Sequence, residues 1–191
     1  MSEGRNKSIV LMGCKHCGKT TQGKLLAQKL GVDFVDTDDE IGRIRGVDFR
    51  TLYKTKGVTE FVLAEEEACC KIMEESQGRQ LVIATGGGIC DNPPALQALR
   101  ACDKFIFLRL DIKYSVSRIM EKIEETETGS FTNVPAYVLS ENPTSLKQIE
   151  EILTKKFTER YQQYQAIADI IIDIKNAPIE ENFQTLLGAL N

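Results

Sequence analysis

The 191-residue chain has no basic stripe: its 24 Lys and Arg are interspersed with 28 Asp and Glu, for a formal net charge of −4. Nucleic acids are gripped by clustered cations, and single strands by aromatic platforms. Neither is present, so no nucleic-acid partner is expected and a small soluble substrate is. The opening residues 1–7 are polar with no apolar signal region, and no later run reaches membrane-spanning length. A chain without a membrane partner, acting in the cytoplasm as a monomer, is the expectation. Internal repeats and low-complexity linkers are missing too, which leaves a single domain over 1–191. Six cysteines are present. They fall in or beside regular elements rather than in a loop framework, which suits a reduced cytosol. Cys14-Lys15-His16-Cys17 has no second paired cluster to complete a zinc site.

What is present begins with an apolar run, residues 8–12, followed by Gly13-Cys14-Lys15-His16-Cys17-Gly18-Lys19-Thr20. This is G-x-x-x-x-G-K-[ST], the phosphate loop of nucleotide triphosphatases. Gly13 and Gly18 permit torsions and approaches that a Cβ would block. The loop amides converge with the positive end of the next helix, so phosphate oxygens are held by main chain. Lys19 adds a point charge for the outer phosphates, and the Thr20 hydroxyl is a magnesium ligand.

Period and punctuation then alternate strand with helix. Strands are expected at 8–12, 32–35, 80–84, 104–108 and 169–174. Helices are expected at 19–30, 40–45, 49–56, 59–76, 93–100, 113–124, 146–167 and 178–190. Gly31, Gly46 and Gly57 close the helices before them, and 125–145 is polar and without pattern. Apolar strands separated by helices predict an α/β fold of three α/β/α layers on a five-stranded parallel sheet.

In such sheets ligands bind beyond the carboxyl ends of the strands. The first strand ends in the phosphate loop, the second in Asp36-Thr37-Asp38-Asp39, and the third in Gly86-Gly87-Gly88. One Asp suffices to cap a helix, so the remaining carboxylates are candidates for holding magnesium and for taking a proton from an attacking hydroxyl. Three successive glycines imply close approach of backbone to a ligand.

These segments, with Arg160-Tyr161-Gln162-Gln163-Tyr164, occur in the order and spacing of shikimate kinases, which the chain resembles from Ser8 to Asp173. The resemblance implies a P-loop NTPase fold of the nucleoside-monophosphate-kinase-like type. It also implies ATP and Mg2+ as cofactors and phosphoryl transfer to the 3-hydroxyl of shikimate, a step of aromatic amino acid biosynthesis. The catalytic residues it assigns are Lys19 and Asp38, with Thr20 and Asp36 at the metal. ATP would meet Gly13 to Thr21 (Gly13, Cys14, Lys15, His16, Cys17, Gly18, Lys19, Thr20 and Thr21), Arg118, and Lys175 at the Lys175-Asn176 corner. The acceptor would meet Asp38, Gly86, Gly87, Gly88 and Arg160. Residues 38–76 would form the substrate-binding helices and about 125–145 a mobile lid.

The sequence departs from the family pattern at two arginines. Val62 stands where an Arg helps bind the acceptor carboxylate, and Val134 where a lid Arg reaches over the phosphates. Valine forms no charge-assisted fork. Losing one of two carboxylate clamps costs roughly 2–5 kcal/mol if nothing replaces it. Arg43, Arg45, Arg50 and Lys147 are candidate replacements. The departures keep open a kinase for another polyol, sugar acid or nucleotide, and an inactive nucleotide-binding relative. Among the cysteines, Cys14 and Cys17 sit beside Lys19 and the positive helix end, which favours thiolate and predicts fast alkylation. Cys69 and Cys70 are expected to face the core.

Overall fold

The alternation of apolar strand and amphipathic helix folds, in a computed structural model describing residues 6–127 and 129–190, into one five-stranded sheet between helical layers. Residues 1–5, 128 and 191, which belong to the expected domain and lid, lie outside the described residues. In chain order the elements are β1 (Asn6–Met12), α1 (Lys19–Leu30), β2 (Asp33–Asp36), α2 (Thr37–Arg45), α3 (Phe49–Ser76), β3 (Leu81–Ala84), α4 (Pro93–Ala98), β4 (Cys102–Leu110) and α5 (Ile112–Met120). The short pair β5 (Glu124–Glu125) and β6 (Phe131–Thr132) follows, then α6 (Ala136–Leu139), α7 (Leu146–Ile167), β7 (Ile170–Ile174) and α8 (Ile179–Gly188).

The main sheet is all parallel in the order β2-β3-β1-β4-β7. Strand β1 lies at its centre, with chain leaving toward β3 on one side and β4 on the other. That reversal opens a crevice at the carboxyl edge. Register does the rest: Ala84 pairs with both Leu11 and Asp36. Two residues past that level stand Gly13, Asp38 and Gly86, so three remote segments meet at one height.

Alternation along β1 sends Ile9 and Leu11 to one face and Val10 and Met12 to the other. Ile9 and Leu11 pack with Leu26 of α1, Ile106 and Leu108 of β4, and Phe183 and Leu186 of α8. Val10 and Met12 pack with Phe107, Leu153, Phe157, Tyr161 and Tyr164. Each fully buried large side chain contributes about 1.5–3 kcal/mol. The rings of Phe107 and Tyr161 meet edge to face at 5.1 Å, and the Tyr161 hydroxyl donates to the Leu110 carbonyl, which fixes α7 across β4. A separate cluster of Ile41, Leu52, Ala64 and Ala68 joins α2 to α3 beside the crevice.

Several expected boundaries shift for local reasons. The expected break between helices 49–56 and 59–76 falls inside α3 at Gly57, whose φ of 83° and ψ of −179° no helix accommodates. Helix α2 starts at Thr37 rather than 40, because the Asp36 carboxylate accepts the Asp38 N–H and begins the helix earlier. Strand β4 runs Cys102–Leu110, longer than its apolar stretch, since its ends pair with Asn6 and Ile174. Helix α5 stops at Met120, four residues short. The patternless stretch 125–145 is structured. It carries half of the β5–β6 hairpin and the single turn α6, where Val138 is fully buried.

Candidate active site

The crevice floor is the phosphate loop, and its glycines are dictated by contact. A Cβ on Gly13, whose φ is +147°, would lie 2.6 Å from the Leu108 carbonyl oxygen and 2.7 Å from Cys17 Sγ. Only glycine lets the chain turn here against β4. Gly18, at φ +95°, caps α1 without a side-chain bond. The N–H groups of Lys15, His16 and Gly18 form no hydrogen bond among the described residues, and they gather at the positive end of a 12-residue helix. Such a concavity fits the phosphates of a nucleotide. Lys19 is buried across the loop, its Nζ donating to the carbonyls of Gly13 at 2.8 Å and Cys14 at 3.2 Å. Thr20 and Thr21 open the helix on its exposed side.

Other cations close in from β4's side. Arg118 donates to the His16 carbonyl at 2.7 Å and to Asn176 Oδ1 at 3.0 Å. His16 adopts a left-handed φ of 67°. Burial first, then the charges of Lys122, Lys15, Lys19 and Arg118, lower its pKa to about 4, so its ring is neutral at pH 7. Among the described residues none of Lys15, Lys19, Lys122 or Arg118 forms an ion pair with a carboxylate. Among the described residues the loop is thus ringed by cations that form no ion pair, with the Asp38 charge acting on Lys15. Lys175, also expected at the nucleotide, is exposed with its Nζ 3.6 Å from Glu181. Asn176, its neighbour, makes the contact instead.

At the exit of β2 one carboxylate performs two tasks. Asp36 accepts the Thr20 hydroxyl proton at 2.8 Å and the Asp38 N–H at 3.0 Å. It is both helix cap and orienter of Thr20. A hydroxyl that gives its proton away keeps its lone pairs for a cation. Hydroxyl and carboxylate oxygens are hard ligands, so Thr20 and Asp36 fit Mg2+. Asp38 then turns into the crevice. Its pKa is raised to about 6 by burial first, with the adjoining Asp36 charge adding and Lys19 opposing.

The glycines after β3 are where everything meets. A Cβ on Gly86 would lie 2.9 Å from Glu65 Oε1 and 3.0 Å from Asp38 Oδ1; on Gly87, 2.9 Å from the Lys15 nitrogen; on Gly88, 2.8 Å from Arg160 Nη2. In three consecutive residues the backbone passes two carboxylates, the phosphate loop and a guanidinium. Arg160 is only 7% exposed. Its Nε and Nη2 donate to Asp91 Oδ2 at 3.0 and 2.9 Å, its Nη1 to the Gly87 carbonyl at 3.0 Å, and its plane lies 4.8 Å from the Tyr137 ring centroid. Burial works against its charge, but Tyr137 and Asp91 more than offset this and raise its pKa.

Glu65, Asp91 and Tyr137 escape the sequence reading. Glu65 is 1% exposed, one oxygen taking the Asn92 amide at 3.0 Å and the other without a partner. Burial raises its pKa to about 7 despite that bond, with Asp38 adding. The signal was present: position 65 lies on the same helical stripe as Phe61, Ala64, Ala68 and Ile72, where a carboxylate is out of place. Asp91 follows the glycines in a 3₁₀ turn (Ile89–Asp91) with no periodicity to mark it.

Of the candidate replacement cations, Arg43 is bonded to Glu40 and Glu75, and Arg45 to Glu60 and Glu67. Lys147 is exposed beside Glu151. Arg50 alone lies near enough to Lys15 to act on its charge. Val62 is half-buried with its carbonyl accepting the Asn92 amide, and Val134 packs on the main core.

The cysteine expectations require correction. Cys14 and Cys17 are buried, and burial pushes the Cys14 thiol far up, outweighing the favourable charges of Arg160 and Lys19. Fast alkylation of Cys14 or Cys17 is therefore not expected. Cys69 faces the core as predicted, but Cys70 is exposed. All six are free, and no cluster of potential metal ligands of the His, Cys, Asp or Glu type occurs among the described residues.

A phosphate loop at the centre of a parallel sheet, facing buried carboxylates across three consecutive glycines, defines a P-loop phosphotransferase of the nucleoside-monophosphate-kinase-like type, with an alcohol group as acceptor. The family model "Shikimate kinase" matches residues 15–191, and the chain belongs to that family. It is 30% identical over 176 residues to the shikimate kinase of Francisella tularensis subsp. novicida, covering 92% of this chain and 90% of that protein. Among solved structures, shikimate kinase from Acinetobacter baumannii in complex with shikimate superposes with a TM-score of 0.75 at 25% identity, covering 96% of this chain and 92% of that one. Deoxyadenosine kinase from M. mycoides shares the fold alone, at 16% identity and a TM-score of 0.54 over 96% of this chain and 99% of that one.

Proposed function

We propose that the protein transfers the γ-phosphoryl group of ATP, with Mg2+, to the 3-hydroxyl of shikimate. The carrying observation is the meeting of Asp38, Glu65, the phosphate loop and Arg160 at three consecutive glycines. Donor phosphates lie on the loop amides and Lys19, with the adenine flanked by Arg118 and Asn176. Thr20 and Asp36 would hold Mg2+, which when bound would supply charge neutralisation at the phosphate oxygens. Asp38 accepts the acceptor's hydroxyl proton as the new O–P bond forms and the bond to the β-phosphate oxygen breaks, releasing ADP. Arg160 keeps two N–H donors free for the acceptor carboxylate. Residues 38–76 enclose the acceptor, and 125–145 closes over it, with Tyr137 docked on Arg160. The solved relative with shikimate bound supports this acceptor. Six free thiols support a reducing cytoplasm, and the protein works there as a monomer.

One observation favours a second acceptor class. Arg160 is already paired with Asp91, which Lys156 also meets at 3.2 Å, and Val62 adds no charge. This suits a neutral polyol. Coupled ADP release over a panel of shikimate, quinate, gluconate and uncharged polyols separates the readings. Shikimate is expected to give the highest kcat/KM, with activity lost on Lys19→Ala and Asp38→Asn. Turnover confined to uncharged polyols contradicts the shikimate assignment.

A further inference from the structure

Residues 124–145 contain no Lys or Arg. Positive charge to steady a group in transit between donor and acceptor therefore comes from outside that segment, with Lys15, Arg50 and Lys122 near one another at the crevice. Lys19 points inward to its own loop carbonyls. Lys15 is placed differently. Its backbone nitrogen and Cα lie 2.9 and 3.3 Å from the Cβ position on Gly87, one residue from the Gly86 position that touches Asp38. It stands where the phosphate loop meets the acceptor carboxylates. Its side chain is half-buried, and its ammonium makes no hydrogen bond or ion pair among the described residues. A partly desolvated charge without a partner is unfavourable in the free protein, and it is relieved when an anion arrives.

We propose that the Lys15 ammonium binds the phosphoryl group as it passes from the nucleotide to the acceptor. The role rests on the phosphoryl-transfer reading but not on which acceptor is used. Charges around the site favour an anion of more than one charge: Arg50 and Lys122 both bear on Lys15, and Asp38 is the one carboxylate that opposes them. Burial and those two cations lower the Lys15 pKa, which makes its ammonium the more ready to accept a counterion. Arg160, across Gly88, is tied to Asp91 and serves the acceptor's far end. Among the described residues Lys15 is thus a cation without an ion pair, on the stretch of loop that meets Gly87 beside Asp38 and Glu65.

The test measures binding of ADP with Mg2+, with and without aluminium fluoride as the stand-in for the transferring group, to the unsubstituted protein and to Lys15→Met and Lys15→Arg. Lys15→Met is expected to bind ADP within about threefold of the unsubstituted protein, to lose about 100-fold or more of the fluoride-dependent tightening, and to lose kcat in parallel. Lys15→Arg keeps both within about tenfold. Tightening that survives Lys15→Met, or an equal loss of plain ADP binding, overturns the role of Lys15 alone. No tightening in the unsubstituted protein, together with no turnover of any acceptor, overturns the kinase reading and this role with it.

Discussion

At the residue scale, the site stores its tension in Glu65. Its carboxyl is enclosed, half-satisfied, and beside Asp38. The folded pKa of about 7 exceeds the ordinary 4.5. Below the lower value both folded and unfolded chains hold the proton. Between the two, only the folded chain holds it, so stability falls as pH rises through the window, and the penalty is complete above it. Replacing Glu65 by Gln removes the titration and keeps an acceptor for Asn92. Urea denaturation at pH 5 and pH 8 is expected to show Glu65→Gln gaining up to about 3 kcal/mol on the unsubstituted protein between the two pH values. A stability difference independent of pH contradicts the assignment. Placement was legible where chemistry imposes a spacing: Gly13, Gly18, Lys19 and Thr20 form the loop that the motif describes, and Asp38 comes to the same crevice. Asp91 was not legible, because a carboxylate that neutralises a remote arginine leaves no mark in local sequence. The cysteines misled for the opposite reason. Local charge argued for thiolate, but both side chains are buried, a tertiary property, and burial raises the Cys14 thiol.

At the element scale, the Gly86–Gly88 segment is a point of close backbone approach whose tolerance can be measured against a neighbour. A methyl on Gly87 meets the Lys15 backbone at 2.9 Å, which cannot swing away as a side chain would. On Gly42, inside α2, the nearest atom is the Val47 carbonyl oxygen at 3.8 Å. Gly42→Ala is therefore expected to raise stability by about 0.5–1 kcal/mol through helix propensity. Gly87→Ala is expected to displace the phosphate loop and lower kcat/KM about 100-fold or more. Thermal melts and ADP-release assays on the pair check both. Full activity in Gly87→Ala would show that the loop does not bear on the glycines. Helix and strand identities followed from periodicity and the break at Gly57 from its glycine, while the extent of β4 depended on neighbours that periodicity does not encode. The hairpin β5–β6 was missed because two-residue strands carry no usable alternation.

At the scale of the whole molecule, strand order is what creates the site. Alternation of strand and helix announced a parallel sheet, but not that β1 would lie between β3 and β4. That order, with the shared register at Ala84, brings residues 13, 38 and 86 to one edge. On the proposed function, catalysis would consist of positioning and fixed charge rather than of a special nucleophile. The most direct check is a phosphorus NMR time course of ATP, Mg2+ and shikimate with the protein. The account predicts a phosphomonoester resonance growing one for one with ADP and abolished by EDTA. ADP appearing with inorganic phosphate alone would contradict it.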